Sequence, residues 1–175
     1  MATTNIEGGR SATLHLVERG RRRIAMLNGP RDFGCNRDRL EGYKSALRKA
    51  GLQFDPKLVV DSDFKESGGA SAMATLLAAD PKLDAVFVAN DVMAFGAMRA
   101  LRNSGRRVPD DVAVVGFDDI PASAMTHPPL STVRQPLYEM GRTAASMVMA
   151  AVRGESITKR IELPTSLVIR ESSGG

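Results

Sequence analysis

The stretch "VFVANDVMAFGAMRALRNSG", residues 86–105, changes its period part-way along. Val86 to Ala89 is apolar at every position, as in a strand covered on both faces. From Val92 onward apolar residues return every three or four positions, and the run closes at Gly105, as in a helix with a glycine stop. Between the two stand Asn90 and Asp91, polar residues at the tip of a buried strand. Asp91 reads as the helix N-cap, its carboxylate accepting from backbone N–H groups two or three residues on. That role leaves Asn90 free to face whatever lies beyond the strand.

The same alternation extends in both directions. Upstream, helical periodicity over 7–19 precedes an apolar run at 24–27. A helix over 37–50, carrying Leu40, Tyr43, Leu47 and Ala50, precedes a strand at 58–60. A helix over 67–79 with Met73, Leu76 and Leu77 then leads into the strand at 85–89, and downstream of the 92–103 helix lies a strand at 112–117. Strands that alternate with helices, and that are apolar without polar alternation, predict an α/β fold with a doubly wound parallel sheet. After residue 120, "IPASAMTHPPLSTVRQP" holds four prolines and reads as a connection with one short strand. A helix over 137–152 follows Pro136, which suits the first helical position. Extended runs at 160–163 and 166–170 and a frayed tail at 171–175 complete the pattern.

Composition narrows the class. The 175 residues suit one domain with a real core, and 43% hydrophobic and 25% charged residues are near the globular average. The first residues lack the apolar core of a signal sequence, and no run is long enough to span a membrane. A single cysteine, Cys35, excludes an internal disulfide framework and suits the cytosol. The net charge of +4 is mild. The basic cluster "RGRRR" at 19–23 has no interleaved aromatic residues and reads more readily as a solvated turn than as a phosphate contact.

In an open parallel sheet, ligands bind beyond the carboxyl ends of the strands. There the sequence delivers "NGPRDFGCNRDR", "DSDFKESGG", Asn90-Asp91 and Asp118-Asp119. Arg37 and Arg39 fall in the first turn of their expected helix, against the macrodipole, and read equally as surface arginines or as partners of something negative or hydroxyl-rich. Phe64, in a polar Gly/Ser-rich loop, reads equally as core or as a stacking platform. His127, between Thr126 and two prolines, is placed at the same edge, whereas His15 reads as structural. Asp118-Asp119 reads as a hydrogen-bonding or turn pair rather than a metal site, since no further ligands stand nearby. No Gly-rich phosphate loop, nucleophile elbow or zinc spacing is found, so binding is better supported than chemistry and no cofactor is expected.

The blocks "RRRIAMLNGP", "NRDRLEGYKSALRKAGL", "LDAVFVANDVMAFGAMRALRNSGRRVPDDVAVVGFDDIP", "HPPLSTVRQPLYEMGRTAA" and "LPTSLVIRES" resemble the effector-binding core of the lactose/galactose repressor (LacI/GalR) family of bacterial transcription regulators. The resemblance runs from about Asn5 to Ser172. It implies a type I periplasmic-binding-protein-like lobe, in which Arg39, Asn90, Asp118 and Gln135 read the effector's polar groups and Phe64 its apolar face. The implied effector is a small molecule, a sugar before a nucleobase. The family's other implied properties are homodimerisation, a cytoplasmic location, no membrane contact, no enzymatic activity, and operator DNA bound through an N-terminal helix-turn-helix outside this chain. By the same likeness, 5–133 is the C-terminal lobe, and 134–163 holds a crossover, helix and strand that return to an N-terminal lobe. Residues 164–170 then form a closing strand. Other readings of the residues are a periplasmic sugar-binding protein of the same fold and, more remotely, a small α/β enzyme using Asp118 and Asp119.

Overall fold

The computed structural model describes residues 2–156 and 161–175. The chain runs β1 (Ala2–Thr3), α1 (Asn5–Glu18), β2 (Ile24–Asn28), α2 (Gly34–Lys49), β3 (Val59–Asp61), α3 (Glu66–Ala79) and β4 (Ala85–Val88). It continues through α4 (Asp91–Asn103), β5 (Ala113–Asp118), β6 (Ser131–Arg134), α5 (Leu137–Val152), β7 (Glu162–Leu163) and β8 (Ser166–Val168). Six strands form one sheet in the order β3-β2-β4-β5-β6-β8; the first five are parallel and β8 is antiparallel to β6. β2 and β4 are buried at every position, because helices cover the sheet on both faces.

Chain order sets those faces. From β2 the chain steps outward to β3 through α2, then returns past β2 through α3 to β4 and onward through α4 to β5. Right-handed crossovers in opposite directions put α2 on one face and α3 and α4 on the other. The direction reverses between β2 and β4, and a crevice opens at their carboxyl ends. Helices on each face meet at glycines. A Cβ on Gly42 of α2 would collide with the Ile6 carbonyl of α1, and one on Gly96 of α4 with the Glu66 carbonyl of α3.

The sequence expectation of a doubly wound sheet holds, with differences at the margins. The "RGRRR" cluster is a structural turn. The Asp84 carboxylate accepts from the Arg22 and Arg23 backbone N–H groups at 2.8 and 2.9 Å, Arg21 donates to the Pro109 carbonyl at 2.6 Å, and Arg23 pairs with Asp55 and Asp80. The expected frayed tail is anchored instead. Ser172 and Ser173 are fully buried: Ser172 Oγ accepts from the Ser131 N–H and donates to the Val114 carbonyl, while Ser173 Oγ bonds Ser131 Oγ and His15 Nε2. Arg160, the expected start of the penultimate strand, lies outside the described residues. No helix among the described residues is long and apolar enough to cross a membrane.

Two parts stand off the main sheet. β1 and β7 pair with each other in a separate parallel ribbon. α5 buries none of its residues, and Leu137, Val148 and Val152 are exposed along it.

Candidate functional site

The crevice at the reversal point collects the side chains that the strand ends deliver. Arg39 lies in the second turn of α2, since the helix starts at Gly34 rather than at 37; the macrodipole argument for it therefore lapses. Tertiary partners position it. Its Nε donates to Asn5 Oδ1 at 2.9 Å, and its Nη1 donates to the Ala89 carbonyl at the end of β4. The guanidinium carbon lies 3.6 Å from the centre of the Phe117 ring, within cation–π range. Arg39 is 5% exposed, and burial lowers its pKa against the pull of Asp118.

Asp118 ends β5 with φ +122°, a conformation L residues rarely adopt. Its Oδ1 accepts from Gln135 Nε2 at 2.7 Å. Burial raises its pKa to about 6, although Arg39 and Gln135 both favour the ionised form. Gln135 Oε1 accepts from Thr3 Oγ1 at 3.0 Å, and Asn5 Nδ2 donates to the Thr3 carbonyl at 3.0 Å. The contacts form a chain, Asp118–Gln135–Thr3–Asn5–Arg39, whose two charged ends attract one another electrostatically without a direct hydrogen bond among the described residues. Within it, Asp118 Oδ2 and Arg39 Nη2 take no hydrogen bond among the described residues. A planar acceptor and a planar donor are thus left to engage a ligand that offers both, as adjacent hydroxyls do.

Asn90, not Asp91, caps α4, and Asp91 takes a buried structural role that the sequence expectation did not give it. Asn90 is the N-cap of α4, its Oδ1 accepting from the Met93 N–H at 2.9 Å, while its Nδ2 donates to the Phe64 carbonyl at 3.2 Å. The amide retains one N–H and one lone pair for the crevice. Asp91 is wholly buried. It accepts from Thr132 Oγ1 at 2.6 Å, Ser123 Oγ at 2.7 Å and the Ile120 N–H at 3.0 Å, tying α4 to the segment that leads from β5 into β6. Replacing Asp91 with alanine orphans these three donors and is expected to cost about 3–5 kcal/mol, the lower part of the range for three groups at roughly 1–3 kcal/mol each because the two hydroxyls are free to rotate. Asp91→Asn, which keeps one acceptor oxygen, loses less. Urea unfolding of the two variants checks the ranking.

Phe64 also stands at positive φ, +65°, and its ring sits where a side chain on Gly29 would go, edge-on to Phe33 at 5.8 Å. Strained backbone clusters where surrounding structure holds a ligand-facing shape. Of the three non-glycine residues at positive φ among the described residues, two are Phe64 and Asp118, and the third is Asp119. Asp119 turns away to pair with Arg134 at 2.5 Å and Arg170 at 2.7 Å. Burial pushes its pKa up, but those arginines outweigh it and hold the carboxyl below the usual range. With Asp119 so engaged, the two aspartates are not arranged as a metal pair.

His127 does not join the group, contrary to the sequence expectation. The chain turns back after Ser123 to begin β6, carrying His127 to a separate hollow of about 440 Å³ on the outer side of α4, beside Phe95, Met98, Arg102 and Val108. Arg39, Asn90, Asp118, Gln135 and Phe64 do gather. Sequence reasoning missed Thr3, Asn5 and Phe117. Only Asn5 carried a signal, as a polar residue at the start of an amphipathic helix, and that signal is shared by any cap.

The model for the periplasmic binding protein-like domain matches residues 13–173. The chain is 47% identical over 169 residues to the HTH-type transcriptional regulator CelR of Thermobifida fusca, covering 96% of this chain and 50% of that protein. It is 38% identical over 167 residues to the ribose operon repressor of Escherichia coli (strain K12), covering 95% of this chain and 51% of that one. Among solved structures, the transcriptional regulator CelR–cellobiose complex superposes with a TM-score of 0.94 at 46% identity, over 97% of this chain and 52% of that chain. The chain therefore spans about half the length of the curated relatives it matches.

Proposed function

The chain belongs to the periplasmic binding protein-like domain family, in its LacI-type regulator line, and from that premise we propose that it is the effector-binding and self-associating part of a bacterial DNA-binding transcription regulator. The effector is a sugar, with a β-linked glucose disaccharide the first to test because the similar CelR structure is a cellobiose complex. Regulation of a catabolic operon, a cytoplasmic site of action and operator contact through a separate helix-turn-helix complete the reading. The observation that carries it is that Asp118 Oδ2 and Arg39 Nη2, at the sheet's reversal point, have no hydrogen-bond partner among the described residues, with Asn90 and Phe64 alongside. Binding rather than chemistry is the reading, because the similar proteins are transcription regulators.

The division of labour along the chain is part of the proposal. Residues 5–133 form one lobe, and the α5 and β7 region belongs with β1 to a second. The separate β1–β7 ribbon and the uncovered apolar residues of α5 support this. One lobe supplies half the contacts, so this chain binds sugar weakly, in about the millimolar range. Amide NMR titration with cellobiose is expected to move resonances around Arg39, Asn90, Asp118 and Gln135 with such an affinity. Shifts scattered over other faces would remove the site, and micromolar binding by this chain would remove the two-lobe division. Light scattering at micromolar concentration is expected to give twice the chain mass; a sharp monomer overturns the homodimer.

A further inference from the structure

We propose that a second hollow, on the β3 side of α2, is an independent binding site for a hydroxylated organic anion such as a sugar bearing one phosphate or carboxylate. The hollow has a volume of about 360 Å³ and lies between α2 and the β3 edge of the sheet. Arg37, Leu40 and Lys44 reach it from α2 at i, i+3 and i+7 spacing, a stripe beside the one that buries Arg39, Tyr43 and Ala46. Arg31 enters from the loop after β2, and Phe54 and Val59 form the opposite apolar wall.

Charge is the first reason. Asp61 neutralises Arg31, but neither Arg37 nor Lys44 pairs with a carboxylate among the described residues. Among the described residues the one hydrogen bond of the Arg37 guanidinium is a long one, 3.4 Å, to the Arg31 carbonyl, and the Lys44 ammonium lies 4.8 Å from the centre of the Phe54 ring. Two cations thus face one concavity without compensation, an arrangement suited to a phosphate or carboxylate.

The second reason is independent. Asn28, at the carboxyl end of β2, lines the same hollow, is 1% exposed, and spends its Nδ2 on Asp61 at 3.1 Å. Its Oδ1 has no partner among the described residues. Buried acceptors are rarely left so; the atom is closed to solvent in the hollow as it stands, so a ligand hydroxyl satisfies it once the Asn28 amide turns slightly outward, while an anionic group meets Arg37 and Lys44. Leu40 and Phe54 supply the apolar contact that a sugar's C–H face needs. A simple anion meets the cations and leaves Asn28 unpaired; a neutral sugar does the reverse.

Calorimetric titration of the chain with glucose 6-phosphate, gluconate, glucose and inorganic phosphate tests this. Either sugar anion is expected to bind at least about tenfold more tightly than glucose or inorganic phosphate; which of the two does so identifies the head group. The exposed-side-chain variant Arg37→Glu, and separately Lys44→Glu, should weaken that binding about tenfold, as the loss of one charge-assisted contact does. Asp118→Asn should leave it unchanged, which separates this hollow from the crevice whether or not the crevice binds sugar. Four results would each overturn the proposal: no binding of either sugar anion, equal binding by inorganic phosphate, indifference to both charge reversals, or dependence on Asp118.

Discussion

Replacing Gly96 with valine is expected to lower the unfolding midpoint of the chain by about 10–15 °C, from a loss of about 4 kcal/mol at roughly 2–4 °C per kcal/mol for a chain of this size. The reason is the atom a side chain would meet. A Cβ on Gly96 runs into the Glu66 carbonyl and lies 2.8 Å from the Ala70 nitrogen, both backbone atoms of α3. A flexible side chain can move aside, but a helix backbone moves only as a whole, and α3 is also docked through Gly69 against the Met93 backbone of α4. Ordinary overpacking costs about 1–3 kcal/mol; here neither partner can yield, so the cost exceeds that range. Gly42→Val, against the Ile6 carbonyl and the Arg10 nitrogen of α1, is expected to behave alike on the other face. Gly141→Ala in α5, where a Cβ meets nothing, is the control and should leave global unfolding unchanged. Calorimetry on the three variants checks the order, and a Gly96→Val chain melting with the parent would show that the helix pair is not held by this approach.

Asp118→Asn is expected to raise stability at neutral pH while abolishing effector recognition. The folded pKa of about 6 lies above the ordinary aspartate value because burial opposes the charge. A raised pKa means that the folded state binds the proton more tightly than the unfolded one. The corresponding stability is fully present below about pH 4 and is lost as pH rises through about 6. At pH 7 the ionised carboxylate therefore costs the fold about 2 kcal/mol, a shift of two units reduced for the partial openness of the rim. Asparagine carries no charge, tolerates positive φ, and keeps an oxygen for Gln135 Nε2. The parent should gain stability between pH 7 and pH 5 relative to the variant, as read from chemical unfolding across that range. Equal pH profiles would place the titration elsewhere. The same ionisation gives the binding prediction: sugar affinity through Asp118 Oδ2 falls as pH drops below about 6, and the asparagine variant loses it at all pH values.

The sheet was legible because its signal is redundant. Val86 to Ala89 and Ala113 to Phe117 are too apolar for any exposed strand, and the first is followed, the second preceded, by the helix that stops at Gly105. Helix starts were less legible, and the site inherits that weakness. Asparagine and aspartate are nearly equal as N-caps, so sequence could not tell which of Asn90 and Asp91 would cap and which would be buried. Thr132 and Ser123, some thirty to forty residues further on, decide the matter by supplying hydroxyls to Asp91. His127 misled for a similar reason: its neighbours in sequence leave β5 at one end of the sheet, but the chain must cross to the other end before β6 can run parallel. Ser172 and Ser173 looked like tail because nothing local reveals a buried hydroxyl network. Arg39 was found through likeness and chemistry, yet Asn5, which aims it, is a long-range partner 34 positions away.

Three chain segments pass between the main sheet and the β1–β7 ribbon, at Thr4, at Gln135 and at Thr165, and hydroxyls and amides lace them together. Thr4 Oγ1 lies 3.0 Å from Thr165 Oγ1, and Thr3 Oγ1 bonds the same Gln135 whose amide holds Asp118. Under the two-lobe division proposed above, the pivot between the ribbon and the main sheet would be built from the immediate neighbours of Asp118. A substitution that changes affinity at Asp118 is then expected to disturb, through Gln135 and Thr3, the joint that carries the ribbon as well.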